Sequence, residues 1–100
     1  MTLFWYSSDM VKKSVTVGNR NGIHVRPSRF IAQTMDGTRD AVSLEANGIS
    51  ITSLSMINIL TLGLKHGDTC IITVEGDDAL HTMEKIESLM TREYDFSSSI

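Results

Sequence analysis

The chain is poor in the features that most specialised functions need. It has one cysteine, Cys70, so it cannot form an internal disulfide, and it fits a reducing compartment. Nine Lys and Arg against 12 Asp and Glu give a net charge of −3. That leaves no basic field to hold nucleic acid, so no nucleic-acid partner is expected. No apolar run approaches the ~20 residues of a membrane span, so no membrane insertion is expected. His66, His81 and Cys70 do not fall at metal-ligand spacing, so no metal is expected. There is no glycine-rich nucleotide loop and no second acid or base at convincing spacing, which argues against a free-standing enzyme with a bound cofactor. Internal repeats and a domain-separating linker are also missing.

What remains is an ordinary soluble composition, 41% hydrophobic and 21% charged over 100 residues. It suits one domain with one core. Residues 1–10 read as a poorly ordered N-terminal extension, although Leu3-Phe4-Trp5-Tyr6 makes an apolar patch inside it. They lack the basic start and long apolar stretch of a signal peptide. Residues 11–91 make the domain, and 92–100, rich in serine, read as a frayed tail.

The only proline lies in Asn21-Gly22-Ile23-His24-Val25-Arg26-Pro27-Ser28. Asn-Gly signals a turn, and proline is favoured in the first turn of a helix. His24 is therefore expected at a helix N-terminus. There, unpaired N–H groups and the positive end of the helix dipole favour an anion. An imidazole at such a place, with a guanidinium two residues on, points to a histidine that takes up a phosphoryl group. Histidine can form such a covalent intermediate. Read alone, His24 is more often a surface histidine at a helix end, and Arg26 a solvated charge.

The alternation of Val11, Val15 and Val17 with polar neighbours predicts a strand, and Phe30, Ile31, Thr34 and Met35 predict a helix from Val25 to about Met35. Asn47-Gly48 between alternating runs predicts a hairpin of strands at about 40–46 and 49–52. A short helix follows Ser55, with more apolar residues than its core needs, so part of that face is left for solvent or a partner. Thr69 to Glu75 is a strand with Cys70, Ile72 and Val74 inward. The last helix is expected to open at Gly76-Asp77-Asp78, with acids in its first turn, and to bury Leu80, Met83, Ile86 and Met90. The order βαββαβα predicts an α+β protein, one mostly antiparallel sheet covered by helices on one face.

From about Val11 to Met90 the chain resembles the HPr phosphocarrier proteins of the bacterial sugar phosphotransferase system. The segment from Asn21 to Ser28 is similar to that family's Gly-Leu-His-x-Arg-Pro-Ala signature. Asn47-Gly48, the Ser55 region, Leu62-Gly63-Leu64 and Glu75-Gly76-Asp77 also fall at the family's spacing. The resemblance implies an HPr-like open-faced β-sandwich, a four-stranded antiparallel sheet with three helices on one face. It implies that His24 accepts a phosphoryl group on Nδ1 from enzyme I and passes it to enzyme II A domains of sugar permeases. Arg26 would neutralise the phosphate, and Pro27 and Ser28 would start the helix. The carrier would then be a cytoplasmic monomer without a cofactor, a covalent intermediate in phosphoryl transfer. Val25, Arg29, Met56 and Ile57 would dock partners. Ser55 matches a serine that a kinase phosphorylates in some bacteria. It is read here as a helix cap or a regulatory site, and the second keeps open an HPr-like binding protein acting on a transcription regulator or enzyme. Two departures stand out. Ser28 replaces the usual alanine, and Gln33, Asp36, Leu54 and Asn58 stand where the family often has lysines. Arg20, Arg26 and Arg29 remain. A thinner basic rim slows steered association, which brings an enzyme I paralogue into consideration as donor.

Overall fold

The structure is a computed structural model that describes residues 4–6, 9–52 and 55–92. Its strands are β1 (Phe4–Tyr6), β2 (Met10–Thr16), β3 (Ala41–Ala46), β4 (Ile49–Ile51) and β5 (Thr69–Glu75). Its helices are α1 (Val25–Asp36), α2 (Met56–Thr61) and α3 (Ala79–Thr91). The sheet is antiparallel throughout, in the order β1-β2-β5-β3-β4.

The four strands expected from the sequence are all present, and a fifth is added. Phe4–Tyr6 lies within the segment read as a poorly ordered extension, yet it pairs with β2, Trp5 opposite Lys12. The proposed frayed tail beyond Arg92 lies outside the described residues.

Register builds the core. Val11 faces Val74, which faces Val42, and Ile72 faces Leu44, which faces Ile51. These residues join Ile31, Met35, Ile59, Met83, Ile86 and Met90 from the helices in one buried cluster. Lys13 shares the row of Ile72, and its stem runs under α3 until Nζ meets Glu87 at 2.7 Å. The outward residues of β2 and β5 are polar in the main, so one sheet face is solvated and the other carries the helices. Burial pushes the Cys70 thiol up to about 12, and it packs as a small core residue.

The hairpin turns at Asn47 and Gly48, with φ of 52° and 78°, the paired left-handed conformations of a type I′ turn. Asn47 does a second job. Its Nδ2 donates to the Leu62 carbonyl at 2.8 Å and so holds the C-terminal end of α2.

The last helix departs from expectation. It begins at Ala79, with Asp78 as its N-cap, and no acid lies in its first turn. The anion at its start comes from elsewhere in the chain. Asp40 accepts from the Asp78 N–H at 3.4 Å and from the Thr82 hydroxyl at 2.9 Å, while its own N–H donates to Thr38 at 3.1 Å. Leu80, expected in the core stripe, is 43% exposed. The buried stripe is Ala79, Thr82, Met83, Ile86 and Met90, the spacing that one helix face requires. Asp40→Ala should therefore lower stability by about 1–3 kcal/mol, because it removes a cap and leaves the buried Thr82 hydroxyl only the longer contact with the Thr38 hydroxyl. Urea unfolding followed by circular dichroism measures this. An unchanged midpoint would show that the loop does not support α3.

Candidate functional site

His24 is the N-cap of α1, in extended backbone geometry with φ −99° and ψ −158°. Its carbonyl takes the first rung of the helix, from the Ser28 N–H at 3.0 Å. A helix leaves the N–H groups of its first residues outside its own ladder. Here Pro27 has no N–H to offer, so Val25 and Arg26 carry those groups. The His24 side chain makes no capping hydrogen bond to them, and no acidic residue lies in the first turn. The helix start thus keeps its positive character, with the Arg26 guanidinium added to it.

Of the two ring nitrogens, Nε2 is shielded from solvent, while the residue as a whole is half-buried. The ring therefore turns Nε2 towards the protein.

The loop before His24 is fixed by three sets of hydrogen bonds. The Asn19 side chain, fully buried, accepts from the Asn21 N–H at 2.9 Å, and its carbonyl accepts from the Gly22 N–H at 2.9 Å. The Ile23 N–H donates to the Leu64 carbonyl at 2.9 Å. The Gly18 N–H donates to the Met90 carbonyl at 3.0 Å and ties the loop to the end of α3. Asn19 was not singled out in the sequence. A short polar residue in a polar loop carries no signal until the turn it organises is seen.

The other candidates are placed as follows. Val25 and Ile57 are 58% and 68% exposed, each on the first turn of its own helix, and α1 packs on α2. Met56 is half-buried and Arg29 exposed. Ser55 is exposed and caps α2, its Oγ accepting from the Asn58 N–H at 3.2 Å. Pro27 and Ser28 are both buried under the first turn of α1. Of the rim positions, Gln33 and Asp36 are exposed and Asn58 half-buried, and Leu54 lies outside the described residues. His66 and His81 are exposed, in a turn and on α3. Among the described residues no group of His, Cys, Asp and Glu could hold a metal ion, and no helix is long and apolar enough to cross a membrane.

The family model of the PTS HPr component phosphorylation site matches residues 11–92, and the chain belongs to that family. The chain is similar to the phosphocarrier protein HPr of Bacillus anthracis, at 28% identity over 81% of this chain and 96% of that one, with a TM-score of 0.75. It shares its fold with HPr-C-His of Thermoanaerobacter tengcongensis, at 23% identity over 83% and 98% of the two chains and a TM-score of 0.71. The same holds for Crh, the catabolite repression HPr of Bacillus subtilis, at 22% identity, 83% and 99% coverage and a TM-score of 0.62. Strand β1 precedes the residues that the family model matches. Membership supports a phosphocarrier role in the phosphotransferase system.

Proposed function

We propose that His24 accepts a phosphoryl group on Nδ1 from enzyme I, or from a paralogue of it, and passes it to enzyme II A domains. The observation that carries this reading is the helix start around His24. Nε2 is turned inward, no acid occupies the first turn, and the side chain does not cap its own helix. Phosphoryl transfer asks for in-line positioning and stabilised phosphoryl oxygens more than for covalent machinery. The Val25 and Arg26 N–H groups and the Arg26 guanidinium supply that stabilisation. A half-buried ring suits a carrier, because donor and acceptor must each reach the same nitrogen. Val25, Arg29, Met56 and Ile57 form the docking surface for both. The exposed Val25 and Ile57 side chains support that role, since solvent-facing apolar groups of this size are the usual material of an interface. The test is transfer of labelled phosphate from phosphoenolpyruvate through enzyme I. Acid-labile label on the protein is expected, and its absence beside a competent HPr control rejects the reading.

A second reading rests on Ser55. It is an exposed N-cap, so a phosphate there would meet the positive end of α2 next to Met56 and Ile57. A binding protein that acts on a transcription regulator or an enzyme could be switched by a serine kinase at this point. Capture from extract with wild type and with Ser55→Asp is expected to yield different partners under this reading. Identical partners would remove the serine switch.

A further inference from the structure

Ser28 stands where the His24 signature of the family has alanine, and its hydroxyl is unusually placed. The residue is fully buried, and Oγ has no hydrogen-bond partner. A buried hydroxyl in that state is costly, so one that persists calls for an explanation. Ser28 stands one helical turn after His24, joined to it by the first rung of α1 at 3.0 Å. Side chains on a helix lean towards its N-terminus, so the Ser28 side chain leans towards the residue whose Nε2 is turned into the protein.

The geometry points to Ser28 as a positioning residue for the His24 imidazole, holding it as the tautomer protonated on Nε2. This rests on the carrier reading above. In this arrangement the buried Ser28 Oγ serves as the acceptor of the Nε2 proton. The serine proton can then be given to the carbonyl one turn back, a common bond for serine within a helix. With its proton held on Nε2, the ring keeps the Nδ1 lone pair for phosphorus. As the new N–P bond forms, the donor's bond to phosphorus breaks and its electron pair leaves on the donor. The ring gains positive charge, and Nε2 keeps its proton against the serine oxygen. An alanine at this position offers no acceptor, so this chain would tune its histidine by a contact that the family signature does not contain. The tautomer of a reactive histidine is commonly set by the bond its other nitrogen makes.

The test compares the full-length protein with Ser28→Ala and Ser28→Thr. Nitrogen NMR of the His24 ring above its titration range reads the tautomer directly. Wild type is expected to show Nε2 protonated and Nδ1 bare, with the Nδ1-protonated form growing in Ser28→Ala. Phosphate uptake from enzyme I should slow about tenfold in Ser28→Ala, the scale seen when a group orienting a histidine is removed. Restoration by Ser28→Thr, which keeps the hydroxyl, would support the role. Ser28→Ala removes only an unsatisfied hydroxyl and is expected to fold, so identical ring-nitrogen signals in wild type and Ser28→Ala would overturn the proposal. The two readings fail separately. A wild type that takes no label overturns the carrier function, while the nitrogen spectra still decide whether Ser28 holds the ring.

Discussion

His24→Ala is expected to abolish acid-labile labelling from phosphoenolpyruvate and enzyme I, with no change in fold. The loss should be complete rather than graded, because a covalent acceptor has no substitute. Loss of a residue that only stabilised the transferring group would cost a factor of about a hundred to a thousand instead. Stability should move by less than about 1 kcal/mol, since the His24 side chain makes no capping bond to α1. The two results together separate chemistry from folding, and the urea midpoint provides the second. His81 serves as an internal control, being an exposed histidine on α3. If His24→Ala still carried label at the wild-type rate, the acceptor would lie elsewhere, and the helix-start site would have no covalent role.

The parts of the molecule legible in its sequence share one property: their signals are local. The turn at Asn47-Gly48 needs left-handed backbone at both positions and announces that in two adjacent residues. The start of α1 announces itself through Asn21-Gly22 and Pro27, and α2 through Ser55, which does cap it. The parts that were not legible depend on distant partners. Phe4–Tyr6 is too short to show alternation, and it is a strand only because the edge of β2 is there to pair with. The capping of α3 by Asp40 joins residues 38 apart in sequence, and nothing near Asp78 hints at it. On α3 the sequence points correctly to Met83, Ile86 and Met90 and wrongly to Leu80. Ala79 and Thr82 contribute little hydrophobicity although they are buried, and Leu80 contributes much although it is 43% exposed. At the site itself the sequence pointed to His24 and Arg26 but was silent on Asn19 and on which ring nitrogen faces inward. Both depend on how the loop from Val17 to Ile23 folds back against Leu64 and Met90.

That loop makes the second large prediction. Gly22 has φ of +71°, and a Cβ there would lie 2.4 Å from the Leu64 carbonyl oxygen and 3.0 Å from the Lys65 Cα. Alanine thus meets two penalties. Left-handed backbone costs a residue with a Cβ about 1–2 kcal/mol. The overlap is with main chain rather than with a flexible side chain, so the loop must move to relieve it. Moving it stretches the bond from the Ile23 N–H to the Leu64 carbonyl, and Ile23 is only 4% exposed. Loss of that buried bond adds about 1–3 kcal/mol. Gly22→Ala should therefore destabilise the protein by about 2–5 kcal/mol in urea unfolding. Its effect on phosphate uptake should exceed the unfolded fraction, because the peptide that shifts lies next to the one that aims His24. A misplacement of about 1 Å at a reacting centre is enough to cost about a hundredfold in rate. The measurement is the labelling rate at a temperature where the variant is still folded. Wild-type labelling by a folded Gly22→Ala protein would mean that His24 is oriented by α1 alone, and that the loop's tie to Leu64 serves stability only.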